Sequence, residues 1–141
     1  MHVFRLRDEQ RFDPGKHVEK ILGNSGGGDF AVACWEPGQV SPYHCHPDAV
    51  EIYFCLEGGG TMRTPARSVE VVPGSFVVHP RGELHEYANG PQRTLLFRVR
   101  YGEDMRSRHM ADRRKPGWKQ SAEDAEYFRR HPELAGAEVD S

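Results

Sequence analysis

Residues 42–58 read "PYHCHPDAVEIYFCLEG". His44 and His46 stand one residue apart, Glu51 follows five positions after His46, and an aromatic–aliphatic run closes on Gly58. On an extended strand alternate side chains share a face, so His44 and His46 project together while Cys45 turns away and packs outward. Pro47 and Asp48 start a turn, after which a second strand presents Glu51 to the same point. Two imidazoles and a carboxylate converging on one face suit a divalent transition ion, and such a site needs a further ligand. His85, in "PRGELHEYAN" (80–89), is the best candidate, because it lies in a glycine- and proline-punctuated setting of the same kind. The other histidines are less persuasive. His2 and His17 lie in a polar leader, His109 and His131 in a polar tail, and His79 directly precedes a proline.

Working outward, short apolar or alternating runs occupy 30–35, 50–56, 69–72, 75–79 and 94–101. Between them stand "EPG" (36–38), "GGG" (58–60), "TP" (64–65), "PG" (73–74), "PRG" (80–82) and "NGP" (89–91). Short strands with such turns predict an all-β sandwich or barrel. In "RTLLFRVRY", Leu95, Phe97, Val99 and Tyr101 share one parity and Arg98 and Arg100 the other, which predicts an apolar core face and a solvated arginine face. In "VEVV", Val69 and Val71 face one way and Glu70 the other.

The barrel texture spans 30–101. Residues 1–29 form a leader, with room for an extra strand, that ends in the turn-like "GNSGGGD" (23–29). Residues 102–141 are a polar tail in which "SAEDAEYFRRH" (121–131) predicts a short helix: Ser121 as N-cap, acidic residues in the first turn, Arg129 and Arg130 near the end. Tyr127 and Phe128 would dock it, and "AGAEVDS" (135–141) is expected to fray.

The chain has 141 residues, enough for one domain with a real core. Nineteen basic against 21 acidic side chains give a net charge of −2, which argues against nucleic acid or a membrane surface as partner. No signal-peptide-like or membrane-length apolar run occurs, and three cysteines without a CxxC pair fit reduced thiols, so a cytoplasmic protein is expected. No phosphate loop or dinucleotide fingerprint is present, so no nucleotide cofactor is expected.

The two histidine segments, taken together, resemble the motifs of the cupin superfamily in its small single-domain form. Gly38, "QVSPY", His44-Cys45-His46, "PDAV", Glu51, "IYFCLE" and Gly58 fill the family's first motif. Gly74, "SFVVH", Pro80-Arg81-Gly82, "EL", His85, "EYA" and Asn89 fill its second. The resemblance implies a double-stranded β-helix, the jelly-roll cupin barrel, carrying one metal ion on His44, His46, Glu51 and His85, with Asn89 and the motif glycines structural. Fe(II) or Mn(II) is favoured, and Ni(II), Cu(II) and Zn(II) also suit this donor set. It implies further a metal-dependent enzyme of dioxygenase type acting on a small organic molecule. An isomerase, lyase or decarboxylase of the same fold, or a non-catalytic small-ligand-binding cupin, remains open. Tyr53 and Tyr87 are the candidate catalytic groups, as hydrogen-bond donors or general acids. Paired sheets in such proteins imply a homodimer.

Overall fold

The computed structural model describes residues 1–136. Its strands are β1 (Val18–Ser25), β2 (Gly28–Trp35), β3 (Tyr43–Cys45), β4 (Ala49–Glu57), β5 (Gly60–Arg63), β6 (Ser68–Val71), β7 (Phe76–His79), β8 (Glu86–Asn89), β9 (Thr94–Gly102) and β10 (Arg108–Ala111). Helices α1 (Ala122–Arg130) and α2 (Pro132–Gly136) follow. Every strand-like run of the sequence falls on a strand. The fold is all-β with a short C-terminal helix.

One antiparallel sheet has the order β1-β2-β9-β4-β7. The other begins β6-β5-β8, and the bridges Val40–Ala88 and His44–His85 carry it on to β3 and β10. The core lies between them: Ala33, Trp35, Tyr53, Cys55 and Leu96 from the first sheet meet Met62, Val71 and Tyr87 from the second. Val71 is buried, Val69 packs beside it and Glu70 faces water, as the alternation predicts.

The "GNSGGGD" segment is part of a hairpin, with β1 and β2 paired up to Ser25–Gly28 around a tight turn at Gly26, whose φ of 58° favours glycine. Leu6 and Phe12 of the leader pack with Val18 and Leu22 over Val32, Cys34 and Leu95 on the outer face of the first sheet. That cover explains one reversal. Leu95 turns outward under the leader and Tyr101 is exposed, while Leu96, Arg98 and Arg100 lie on the side facing the other sheet, Arg98 fully buried. The arginine face of β9 is therefore the interior one. It is tolerated there because carboxylates answer the guanidinium groups: half-buried Asp29 and Glu19 for Arg98, and buried Glu51 for Arg100.

Ser121 caps α1 by accepting a hydrogen bond from Asp124 N–H at 3.1 Å. Phe128 seats the helix on Tyr43, Cys45 and Leu84. Cys45 does turn away from the histidines, but it is buried under this helix instead of facing water. Of the segment expected to fray, Ala135 and Gly136 end α2 and 137–141 lie outside the described residues. No described helix is long and apolar enough to cross a membrane.

Candidate metal centre

β3 is only three residues long; it carries His44, and His46 follows directly on it, while Tyr43 and Cys45 turn the other way into the helix cluster. The His44–His85 pair exchanges both backbone hydrogen bonds, 3.0 and 2.8 Å, which sets the two motifs in register. Gly82, at a φ of 78°, turns the second motif, and its N–H donates to His46 C=O at 2.9 Å. Glu51 arrives from β4, whose inner parity runs Glu51, Tyr53, Cys55, all buried.

His44, His46, Glu51 and His85 each bring one ligand atom to a common point, all within 4.8 Å of one another. His85 Nε2 is 3.0 Å from Glu51 Oε1, and His46 Nε2 is 3.2 Å from Glu51 Oε2. Two ligands about 2.1 Å from one ion and about a right angle apart stand about 3 Å from each other. His44 Nδ1 donates to Pro42 C=O at 2.7 Å and His85 Nδ1 to Glu83 C=O at 2.9 Å. Those bonds fix the tautomers and leave each Nε2 facing the centre.

The charge states point the same way. Burial holds His44 well below the ordinary histidine pKa, in the neutral form that binds metals. Burial opposes ionisation of Glu51, but hydrogen bonds from His46 and His85 outweigh it and keep the carboxyl well below its usual range. Burial would also lower His85, yet its bond to Glu51 and that carboxylate's charge raise it. His85 thus faces an acceptor on both ring nitrogens, and only a positive charge satisfies both. A bound cation places that charge where a proton would otherwise sit. The donor set fits one ion.

Behind Glu51 stands an arginine pair. Arg100 Nη1 lies 3.6 Å from Glu51 Oε2 and 3.4 Å from His46 Nε2. Arg98 Nη1 donates to Asp29 Oδ1 at 2.7 Å, and its Nε is 3.5 Å from Glu19. In front lies a cavity of about 210 Å³ bordered by the four candidate ligands, Tyr53 and Arg100. Tyr53 stays protonated, its pKa pushed well above the usual range by burial and the Glu51 charge. Tyr87 also borders the cavity, but its hydroxyl donates to Asn89 Oδ1 at 2.9 Å. Asn89 Nδ2 in turn binds the Glu36 and Gln92 carbonyls at 2.9 and 2.8 Å, so both side chains brace the turn after β8.

Three histidines passed over in the sequence are neighbours of this centre. His79 stacks on His85 with ring centroids 3.8 Å apart, and its Nδ1 is 2.8 Å from Glu83 Oε1. Its parity with half-buried Val77, which packs on the core, was the available signal, masked by the following proline. His109 stands opposite His44 in the β3–β10 ladder, rings 5.8 Å apart. His17 stacks on Trp35 at 3.9 Å and borders the cavity. Neither lies in a segment whose local pattern announces the centre.

Residues 31–97 match the family described as Cupin domain, across both histidine motifs. The matched stretch is a cupin domain. The chain is similar to germin-like protein subfamily 2 member 4 of Arabidopsis thaliana, 38% identical over 53% of this chain and 37% of that protein. It is also similar to glucose-6-phosphate isomerase of Thermococcus litoralis, 33% identical over 54% of this chain and 47% of the isomerase. The chain thus spans under half the length of these curated relatives. Among solved structures, a Klebsiella pneumoniae protein with a double-stranded β-helix domain superposes with a TM-score of 0.72 at 16% identity, covering 80% of this chain and 99% of that one. At that identity the likeness speaks for the fold, a double-stranded β-helix.

Proposed function

We propose that this protein is a metal-dependent enzyme of dioxygenase type that takes a small organic molecule into the barrel. The observation that carries the reading is the convergence of four ligand atoms within 4.8 Å at the edge of a cavity. Three imidazoles and one carboxylate extend by one histidine the donor set of non-haem iron oxygenases. A divalent transition ion held there supplies Lewis acidity and open positions for substrate or O₂. The chain's own residues do the rest. Pro42 and Glu83 carbonyls lock the tautomers of His44 and His85, His46 and His85 hold Glu51 ionised, and the walls formed by Trp35, Met62 and Tyr53 exclude bulk water. Tyr53 carries a proton beside Glu51 at the cavity wall.

A second reading, an isomerase or lyase, draws on the similarity to glucose-6-phosphate isomerase and on the proton-bearing groups Tyr53 and His109 at the cavity. Elemental analysis of protein purified without added metal is expected to find about one equivalent of transition ion. Glu51→Gln and His85→Ala are expected to lose it while keeping the β-sheet circular dichroism. O₂ uptake by the iron-loaded protein, run against a panel of small organic molecules, separates the two readings. Turnover without O₂ consumption favours the second.

A further inference from the structure

The charged groups around the centre leave a residue that neither the ion nor the protein satisfies. Three carboxylates, Glu51, Glu19 and Asp29, face two guanidinium groups, Arg98 and Arg100, through contacts of 2.7 to 3.9 Å. At the rim Arg114 and Asp112 cancel each other through two hydrogen bonds of 2.8 Å. The cluster therefore carries one net positive charge once it holds a divalent ion. A net charge in a poorly solvated interior is costly until a counter-charge joins it.

The hydrogen-bond inventory has the same bias. Trp35 Nε1 and Arg100 Nε are buried without a hydrogen-bond partner, and both residues border the cavity. Each of these atoms can only donate. The carboxylates at the wall are already engaged: Glu51 by His46 and His85, Glu19 by Arg98. Buried donors without acceptors call for an acceptor-rich ligand. The space is small, since 210 Å³ is the volume of about seven water molecules.

We propose that the substrate is a small monocarboxylate, whose carboxylate accepts from Arg100 and from the Trp35 indole N–H beside the ion. This rests on the metal-centre reading above and deepens it. One negative charge neutralises the loaded cluster, and two oxygens answer the unpartnered donors. A neutral sugar offers acceptor oxygens but no charge, and an ammonium adds a charge of the wrong sign. A dianion would reinstate a net charge.

The test is calorimetric titration of zinc-loaded protein with propionate and benzoate, each against its amide, so that no turnover is needed. The acids are expected to bind at least about tenfold more tightly than the amides, as charged hydrogen bonds warrant. Arg100→Gln is expected to erase that preference without loss of zinc, because removing a positive charge next to Glu51 does not weaken a cation site. Trp35→Phe keeps the ring over His17 and removes the N–H; it is expected to weaken acid binding severalfold and to hold the proposal to account if Arg100→Gln does not fold. Zinc is expected to bind more tightly with propionate present, by the same factor as propionate with zinc. Equal affinity for acid and amide, or acid binding unchanged in both variants while one equivalent of zinc remains, overturns the monocarboxylate and leaves the metal centre standing. A protein that takes up no zinc sinks the metal reading, and the inference with it.

Discussion

His17 shows how far a side chain's neighbours decide its chemistry. It stacks on Trp35 with its Nδ1 buried and unpartnered, and burial pulls its pKa from 6.5 down to about 4. Between those two values the unfolded chain binds a proton that the folded chain refuses, so stability must fall as pH falls through that window. His17→Phe keeps the stack and cannot titrate. Thermal melts from pH 7 to pH 5 are expected to drop more steeply for the natural chain than for the variant; parallel curves would show that His17 is not buried neutral. Single residues also mark what the sequence could tell. His44, His46, Glu51 and His85 were legible because each sits at a fixed offset from a turn-forming glycine or proline. Arg98 was not. Alternation shows that Arg98 and Leu95 oppose each other, but which of them faces the barrel depends on the leader that covers Leu95 and on Asp29 and Glu19, which receive the guanidinium.

At the scale of elements, the helix near the end of the chain was readable in every feature: cap, acidic first turn and basic last turn all lie within eleven residues. Its role was not, since what Phe128 touches comes from β3 and the loop before β8. Phe128 is 6% exposed, and Phe128→Ala is expected to cost about 3 kcal/mol. Ser121→Ala should cost about 1 kcal/mol through the lost cap. The sharper readout is Cys45, whose thiol lies beneath the helix with a pKa pushed up to about 11 by burial. In Phe128→Ala a thiol reagent should label Cys45 under native conditions and spare Cys34 and Cys55, which lie in other clusters. Uniform labelling of all three would mean global unfolding, and none at all that the helix does not cover Cys45. Pattern alone left β1 uncertain and missed β5, β10 and α2. β10 supplies only Arg108–Ala111 within a charged stretch, and its partner is β3, far earlier in the chain. Long-range pairing of so short a strand leaves no local period to read.

For the whole molecule, the outer face of the first sheet is covered unevenly. The leader shields its β1–β2 side, with Leu6 and Phe12 over Val32 and Cys34 and the ring of Phe4 6.1 Å from that of Phe30. The opposite side stays open: Phe76 is 65% exposed and Val78 50%, on the edge strand β7. The ladder continues them inward as two apolar rows, Phe76–Phe54–Phe97 and Val78–Ile52–Val99. Such a row beside an unpaired strand edge is an association hazard for a lone chain, and natural edges are usually charged or covered. No lysine, arginine or proline interrupts the "FVV" of β7. A second copy related by a two-fold axis would cover the same rows on both chains at once. Light scattering is therefore expected to give twice the 16.0 kDa chain mass. Phe76→Lys with Val78→Lys should return it to one chain mass. Both side chains point away from the candidate ligands, so the double variant should bind its ion as the natural protein does. A single-chain mass for the natural protein at micromolar concentration would sink the dimer. A dimer that survives both lysines would move the interface off β7.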